Sequence, residues 1–165
     1  MAVEVIDNRS AWDRILRELK ELRRTVVTVG VHDDASARPG DDLTNPQLAA
    51  IHEFGAGRIP ERSFLRATID QDRRVETFAR DQAAEVAAGL RPAQQAGERI
   101  GVMATAAVKQ RIRSHIPPPL AAVTIERKLE KGAHGGGLAS MAGSAAAPLI
   151  DTGQLINSIT YKVTQ

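Results

Sequence analysis

The chain of 165 residues carries 22 Lys and Arg against 20 Asp and Glu, a net charge of +2, and has no cysteine. That length suits one domain, expected over 1–165, with a core that needs no disulfides, and the missing thiols exclude disulfides and thiolate metal sites. Hydrophobic residues reach 42% but aromatics only 3%, so the interior is expected to be Ala, Val, Ile and Leu in closely packed helices, a thin core of the kind that partner subunits complete. No apolar run is long enough to span a membrane, and MAVEVIDNRS lacks the charged and apolar regions of a signal peptide, so a soluble chain is expected. Charge is uneven: residues 1–90 carry 13 Lys and Arg against 16 Asp and Glu, and residues 91–131 carry 8 against 3. The basic middle permits contact with a polyanion without forming the dense, aromatic-interleaved stripe of a dedicated nucleic-acid binder.

In chain order, residues 2–6, AVEVI, alternate as a short strand that needs a partner. Ser10 and Asp13 stand at capping-box spacing before a helix whose stripe is Trp12, Ile15, Leu16, Leu19 and Leu22, with Trp12 expected in the core. Residues 25–32 are dense in valine and predict a strand, with Val27, Val29 and Val31 on one face; Gly30 within it predicts a bulge or a close backbone approach. DDASARPGDD at 33–42 is a polar loop whose spacing does not match a calcium loop, so a solvated acidic loop is expected. Asn45 followed by Pro46 predicts a helix start, with Leu48, Ile51 and Phe54 on the buried side of a helix over 46–54, His52 on the exposed side, and Gly55 closing it.

Residues 51–66, IHEFGAGRIPERSFLR, read as a joint. Gly55 and Gly57 supply backbone freedom, Pro60 pushes Ile59 to an extended conformation, and Ser63 is placed to cap the next helix. His52 and Glu53 lack the second histidine of a zinc-protease helix. A long amphipathic helix is predicted over 64–90, with mixed charges on its solvated faces, and a break at Gly89–Pro92. A second helix over 93–115 carries the stripe Ile100, Met103, Ala104, Ala107, Val108 and Ile112. Its basic end includes Lys109, Arg111 and Arg113, which the helix dipole stabilises and which are candidate contacts to DNA or a partner. Pro117 to Pro119 end that helix, and 116–148 read as a long flexible arm, with partial order at TIERKLEKG and glycines that no Gly-Lys-Ser/Thr follows. Asp151 and Gln154 make a capping arrangement around one helical turn, and Ser158 to Val163 alternate as a strand expected to pair with 25–32. The fold class is α+β, a small, mostly antiparallel sheet packed against long helices.

Two stretches, IHEFGAGRIPERSFLR at 51–66 and PLIDTGQLINSITYKV at 148–163, with TIERKL at 124–129 between them, resemble the tail-completion, or virion-morphogenesis, proteins in the neck of long-tailed bacteriophages. The order of an "EFG" turn, a proline with an arginine and a "PFLR"-like run, then a late "IDTGxLxxSI", is the same; the departure is Ser63, where many members of that family carry a second proline. By matching positions, Phe54, Gly55, Pro60, Arg62, Phe64 and Leu65 form one shaped element of the family and Asp151, Thr152, Gly153 and Leu155 another. The resemblance implies a structural virion protein made in the host cytoplasm. It would form a homo-oligomeric, six-fold ring at the head-proximal end of the tail, touching the tail terminator or tail tube protein and the head-tail connector proteins, with double-stranded DNA passing through its lumen. It also implies that a loop such as 33–42 can face a neighbouring protein.

No catalytic constellation is assembled in the sequence: the histidines are scattered and no G-x-S-x-G elbow occurs, so no enzyme, cofactor or metal is expected. The alternatives are a small basic DNA-binding protein using Lys109, Arg111 and Arg113, with Arg127, Lys128 and Lys131, and another neck layer, connector or terminator.

Overall fold

The computed structural model describes residues 9–32, 43–135 (131–135 as backbone), 147–150 and 153–165. The strand expected at 2–6 and the acidic loop at 33–42 lie outside the described residues, as do Asp151 and Thr152. Helix α1 (Arg9–Arg24) leads into strand β1 (Val26–Val31), then come α2 (Asn45–Phe54), α3 (Arg66–Gln71), α4 (Arg73–Ala87), α5 (Ala93–Arg113), α6 (Ala122–Gly135), α7 (Gln154–Ser158) and strand β2 (Ile159–Thr164). The fold is α+β.

The strands pair antiparallel from Val26 opposite Thr164 to Val31 opposite Ile159, joining the two ends of the described chain as expected. Gly30 sits in regular register with Thr160, and a Cβ on it would meet Leu65 at an ordinary 3.9 Å, so it is neither a bulge nor a close approach. One face of this ribbon lies on α5. The contact is close because α5 presents buried Gly97, Gly101, Ala104 and Ala107. A Cβ on Gly97 would stand 3.0 Å from Thr25 Cγ2 and 3.1 Å from Val163 Cγ1, and one on Gly101 would overlap the Tyr161 ring. Small residues on the helix thus let the β-branched and aromatic side chains of the ribbon fill the space. This is the form taken by the close packing expected of an aromatic-poor core. Ile100 and Met103, expected in the same stripe, are half-buried at its margin.

Helix α1 includes Arg9 and Ser10, so Ser10 lies within the helix and is not its cap. Its stripe is wider than its contact with α4 and α5. Leu22 packs on Val86, Ala93 and Ala96, and Glu18 Oε2 accepts the Ala93 N–H at 2.8 Å, capping α5. Trp12, expected in the core, is 61% exposed.

At α2 the cap is Thr44 and not Asn45: Thr44 Oγ1 accepts the Gln47 N–H at 3.4 Å while Gln47 Oε1 accepts the Thr44 N–H at 2.9 Å. The buried row is Asn45, Ala49 and Glu53, and Phe54 points outward at 63% exposure. The single helix expected over 64–90 is two helices. Asp72 takes an extended conformation between them, and its carboxylate accepts the Arg74 N–H at 3.0 Å and the Arg74 guanidinium at 2.7 Å. Short acidic side chains compete in this way for backbone donors and favour caps over helix interiors. Helix α5 stops at Arg113 and not at His115, because Ser114 Oγ donates back to the Arg111 carbonyl and His115 enters the left-handed region at φ 57.

The arm expected over 116–148 is, in its described part, structured. Ile116 and Ala147, Leu149 and Ile150 belong to the main core, and α6 lies between them. Residues 136–146 lie outside the described residues. That core gathers Phe64, Val108, Ile112, Leu155, Ile156 and Ile159 under Val29 and Val31. Fully burying one such side chain stabilises by about 1.5–3 kcal/mol.

Candidate functional site

The joint is built on Glu53, at the end of α2. Past Phe54 the chain turns through Gly55 at φ 75, where a Cβ would stand 2.9 Å from the Glu61 nitrogen, so only glycine fits. Ala56 and Ile59 then pair by two backbone hydrogen bonds, at 3.0 and 2.9 Å, around Gly57 at φ 56. The Arg62 N–H returns to the His52 carbonyl at 2.7 Å, which brings residues 63–66 under the α2 terminus.

There the Glu53 carboxylate, 3% exposed, receives the start of α3. Its Oε2 accepts the N–H groups of Phe64 and Leu65, each at 2.9 Å. Its Oε1 accepts the Arg66 N–H at 2.9 Å, the Ser63 hydroxyl at 2.7 Å and Arg66 Nε at 3.3 Å. Burial acts to raise the pKa of this carboxyl. The bonds from Leu65, Ser63, Arg66 and Phe64 together outweigh it and hold the group below the ordinary glutamate value. Ser63, expected as the cap, is not the N-cap residue, which is Leu65 with no side-chain bond of its own; the Ser63 Oγ accepts the Ala67 N–H at 3.2 Å, and Glu53 takes the N–H groups of Phe64, Leu65 and Arg66.

Arg62, 5% exposed, donates Nε and Nη2 to the Pro118 carbonyl at 3.1 and 2.9 Å, tying the joint to the segment after α5; burial lowers its pKa. Arg66 lies 5.0 Å over the Phe54 ring and pairs with Glu61 at 2.7 Å, so the exposed aromatic is covered by a cation held in place. Pro60 is exposed. The second motif meets the first from the other side: Phe64, fully buried, shares a core with Leu149, Ile150, Leu155, Ile156 and Ile159, and Leu65 packs against it. Gly153 takes the left-handed conformation at φ 80 and opens α7, and Ser158 Oγ donates to the Leu155 carbonyl at 2.8 Å.

The basic end of α5 does not form one open patch. Arg111 turns toward the joint and donates Nε to the Ser63 carbonyl at 3.1 Å, while Lys109 is half-buried and Arg113 exposed. Arg111 also lines an open crevice of about 190 Å³ with Asp72, Arg74, Gln110 and Ser114. The hydrogen bond from Arg74 holds Asp72 below its ordinary pKa and raises that of Arg74 in turn. Lys128, grouped with the basic residues in the DNA-binding alternative, is buried and donates Nζ to the carbonyls of Ala147 and Ile150 at 2.8 and 2.5 Å; the Lys131 side chain lies outside the described residues.

The arrangement around Glu53 is a brace: an anion with every described contact a donor, in a place that fixes where α3 starts. It was absent from the sequence expectations, although Asn45, Ala49 and Glu53, four residues apart, mark one helix face. Among the described residues no group of three or more His, Cys, Asp or Glu could hold a metal ion. Compared with protein-family models, with curated proteins and with solved structures, the chain gives no match.

Proposed function

We propose that this chain is a structural protein of a bacteriophage neck, a tail-completion component that assembles as a ring at the head-proximal end of the tail and lets DNA pass. The observation that supports the reading is the meeting of its two motif stretches. Residues 51–66 and 148–163, which carry the resemblance, pack on each other through Phe64, Leu155, Ile156 and Ile159, and their polar groups bind within the chain. Motifs used in this way set shape. In this reading the protein acts by surface complementarity with itself, with the tail terminator or tube and with the connector, and not by catalysis; contact with DNA in the lumen is non-specific.

The test is electron microscopy of lysates from the parent phage or prophage with this gene deleted. Separate full heads and normal-length tails are expected. Tails of uncontrolled length would move the protein to the terminator layer, and leaking heads to the connector side. Fully joined infectious particles would overturn the neck reading and leave DNA binding through Lys109 and Arg113 as the alternative.

A further inference from the structure

Two helices each carry exposed large apolar residues that no other described residue covers, with basic residues beside those of α1 and acidic residues between those of α6. On α1, Trp12, Leu16 and Leu19 are 61%, 38% and 36% exposed. They fall at helical spacing on a face that continues to Arg23 and is flanked by Asp13 at its N-terminal end and Lys20 at its C-terminal end, all three exposed. On α6, Val123 and Leu129 are 53% and 54% exposed, and Glu126 and Glu130, also exposed, lie between them on the helix surface, with Arg127 at the edge. Within residues 122–130 only Lys128 is buried, with Thr124 and Ile125 half-buried, and Lys128 bonds to the carbonyls of Ala147 and Ile150. Among the described residues, nothing covers Trp12, Leu16 and Leu19 or Val123 and Leu129.

We propose that the Val123, Glu126, Leu129 and Glu130 face of α6 in one copy lies on the Trp12, Leu16 and Leu19 stripe of α1 in a second copy, with Glu126 and Glu130 against Lys20 and Arg23. The occupant is a second copy because both halves of the match are on this chain. Two different faces joined head to tail propagate, and close into a ring when the rotation allows. One helix pair buries less than the roughly 1,200 Å² of a stable standard interface, so assembly depends on concentration and on closure. The inference deepens the proposed function, on which it rests only for the closing of the contacts into a ring.

Sedimentation velocity at rising protein concentration tests it, with circular dichroism to verify the fold of each variant. The wild-type mass rises above the monomer and falls back with added salt. Glu126→Lys with Glu130→Lys, and separately Lys20→Glu with Arg23→Glu, each lose assembly. An equal mixture of the two double variants regains it, because each reversed face then finds its reversed partner. A wild type that stays monomeric, a double variant that assembles like the wild type, or a mixture that stays monomeric would overturn the interface. The neck reading fails separately, through joined particles in the deletion lysate, whatever the sedimentation result.

Discussion

Glu53, the one acidic residue of α2, accepts the backbone N–H of Leu65 at 2.9 Å and so caps α3, which begins at the next residue, Arg66. The carboxylate lies where the dipole of α2 opposes it and that of α3 favours it. The balance is set by donors: the N–H groups of Phe64, Leu65 and Arg66 are left free by the geometry of a helix start and converge on it. Burying a charge is costly unless it is bonded in this way.

Glu53→Gln removes the charge and turns an amide NH₂ toward backbone donors. It is expected to destabilise the protein by about 3 kcal/mol at neutral pH, read from urea unfolding. The pH dependence has a definite sign. The folded pKa lies below the unfolded value, so this stabilisation is present above the unfolded glutamate value of about 4.3 and is lost as pH falls through the folded pKa. The gap between wild type and variant therefore narrows in acid; an unchanged gap across that window would assign the effect to shape alone.

Gly101→Ala places a methyl group into the ring of Tyr161. Helix α5 has to move off the ribbon or the ring has to turn, and overpacking of this kind costs about 1–3 kcal/mol. Tyr161→Val in the same background recovers part of the loss. A double-mutant cycle with no coupling between the two positions would show that the helix-to-ribbon distance is set elsewhere.

The ribbon and the long basic helix were legible in the sequence because their signals are periodic and local. Val27, Val29 and Val31 alternate, Ile159, Tyr161 and Val163 alternate opposite them, and the α5 stripe repeats at helical spacing. The brace was not legible, because its donors reach Glu53 only after the Gly55 turn has folded residues 62–66 back under α2. The break at Asp72 is invisible to periodicity, which continues through it, and depends on one side chain capturing the Arg74 N–H. Trp12 misled for a related reason: an amphipathic stripe shows which side of a helix is apolar, and not how much of that side the rest of the chain covers.

Arg62→Lys keeps the charge and loses the fork that places both Nε and Nη2 on the Pro118 carbonyl. A loss of about 1–2 kcal/mol in unfolding free energy is expected, with Arg62→Met costing more because the carbonyl then has no donor from this residue. Equal stability of Lys and Met variants would show that the apolar stem, and not the fork, holds the segment after α5.

Lys128→Met keeps the length of the side chain and removes the donors to the carbonyls of Ala147 and Ile150. Because Lys128 is the one buried side chain within residues 122–130, the loss is expected to fall on the docking of α6 and not on the main core. Local opening becomes easier by about 2 kcal/mol, which speeds hydrogen exchange roughly thirtyfold where that opening governs it. The amides of residues 122–130 and of Ala147, Leu149 and Ile150 are expected to show this change in native-state exchange, while those of α5, β1 and β2 keep their protection. Exchange that quickens evenly through α5 and the ribbon would instead mean that Lys128 supports the whole core, and α6 could not then be treated as an arm tethered at one point.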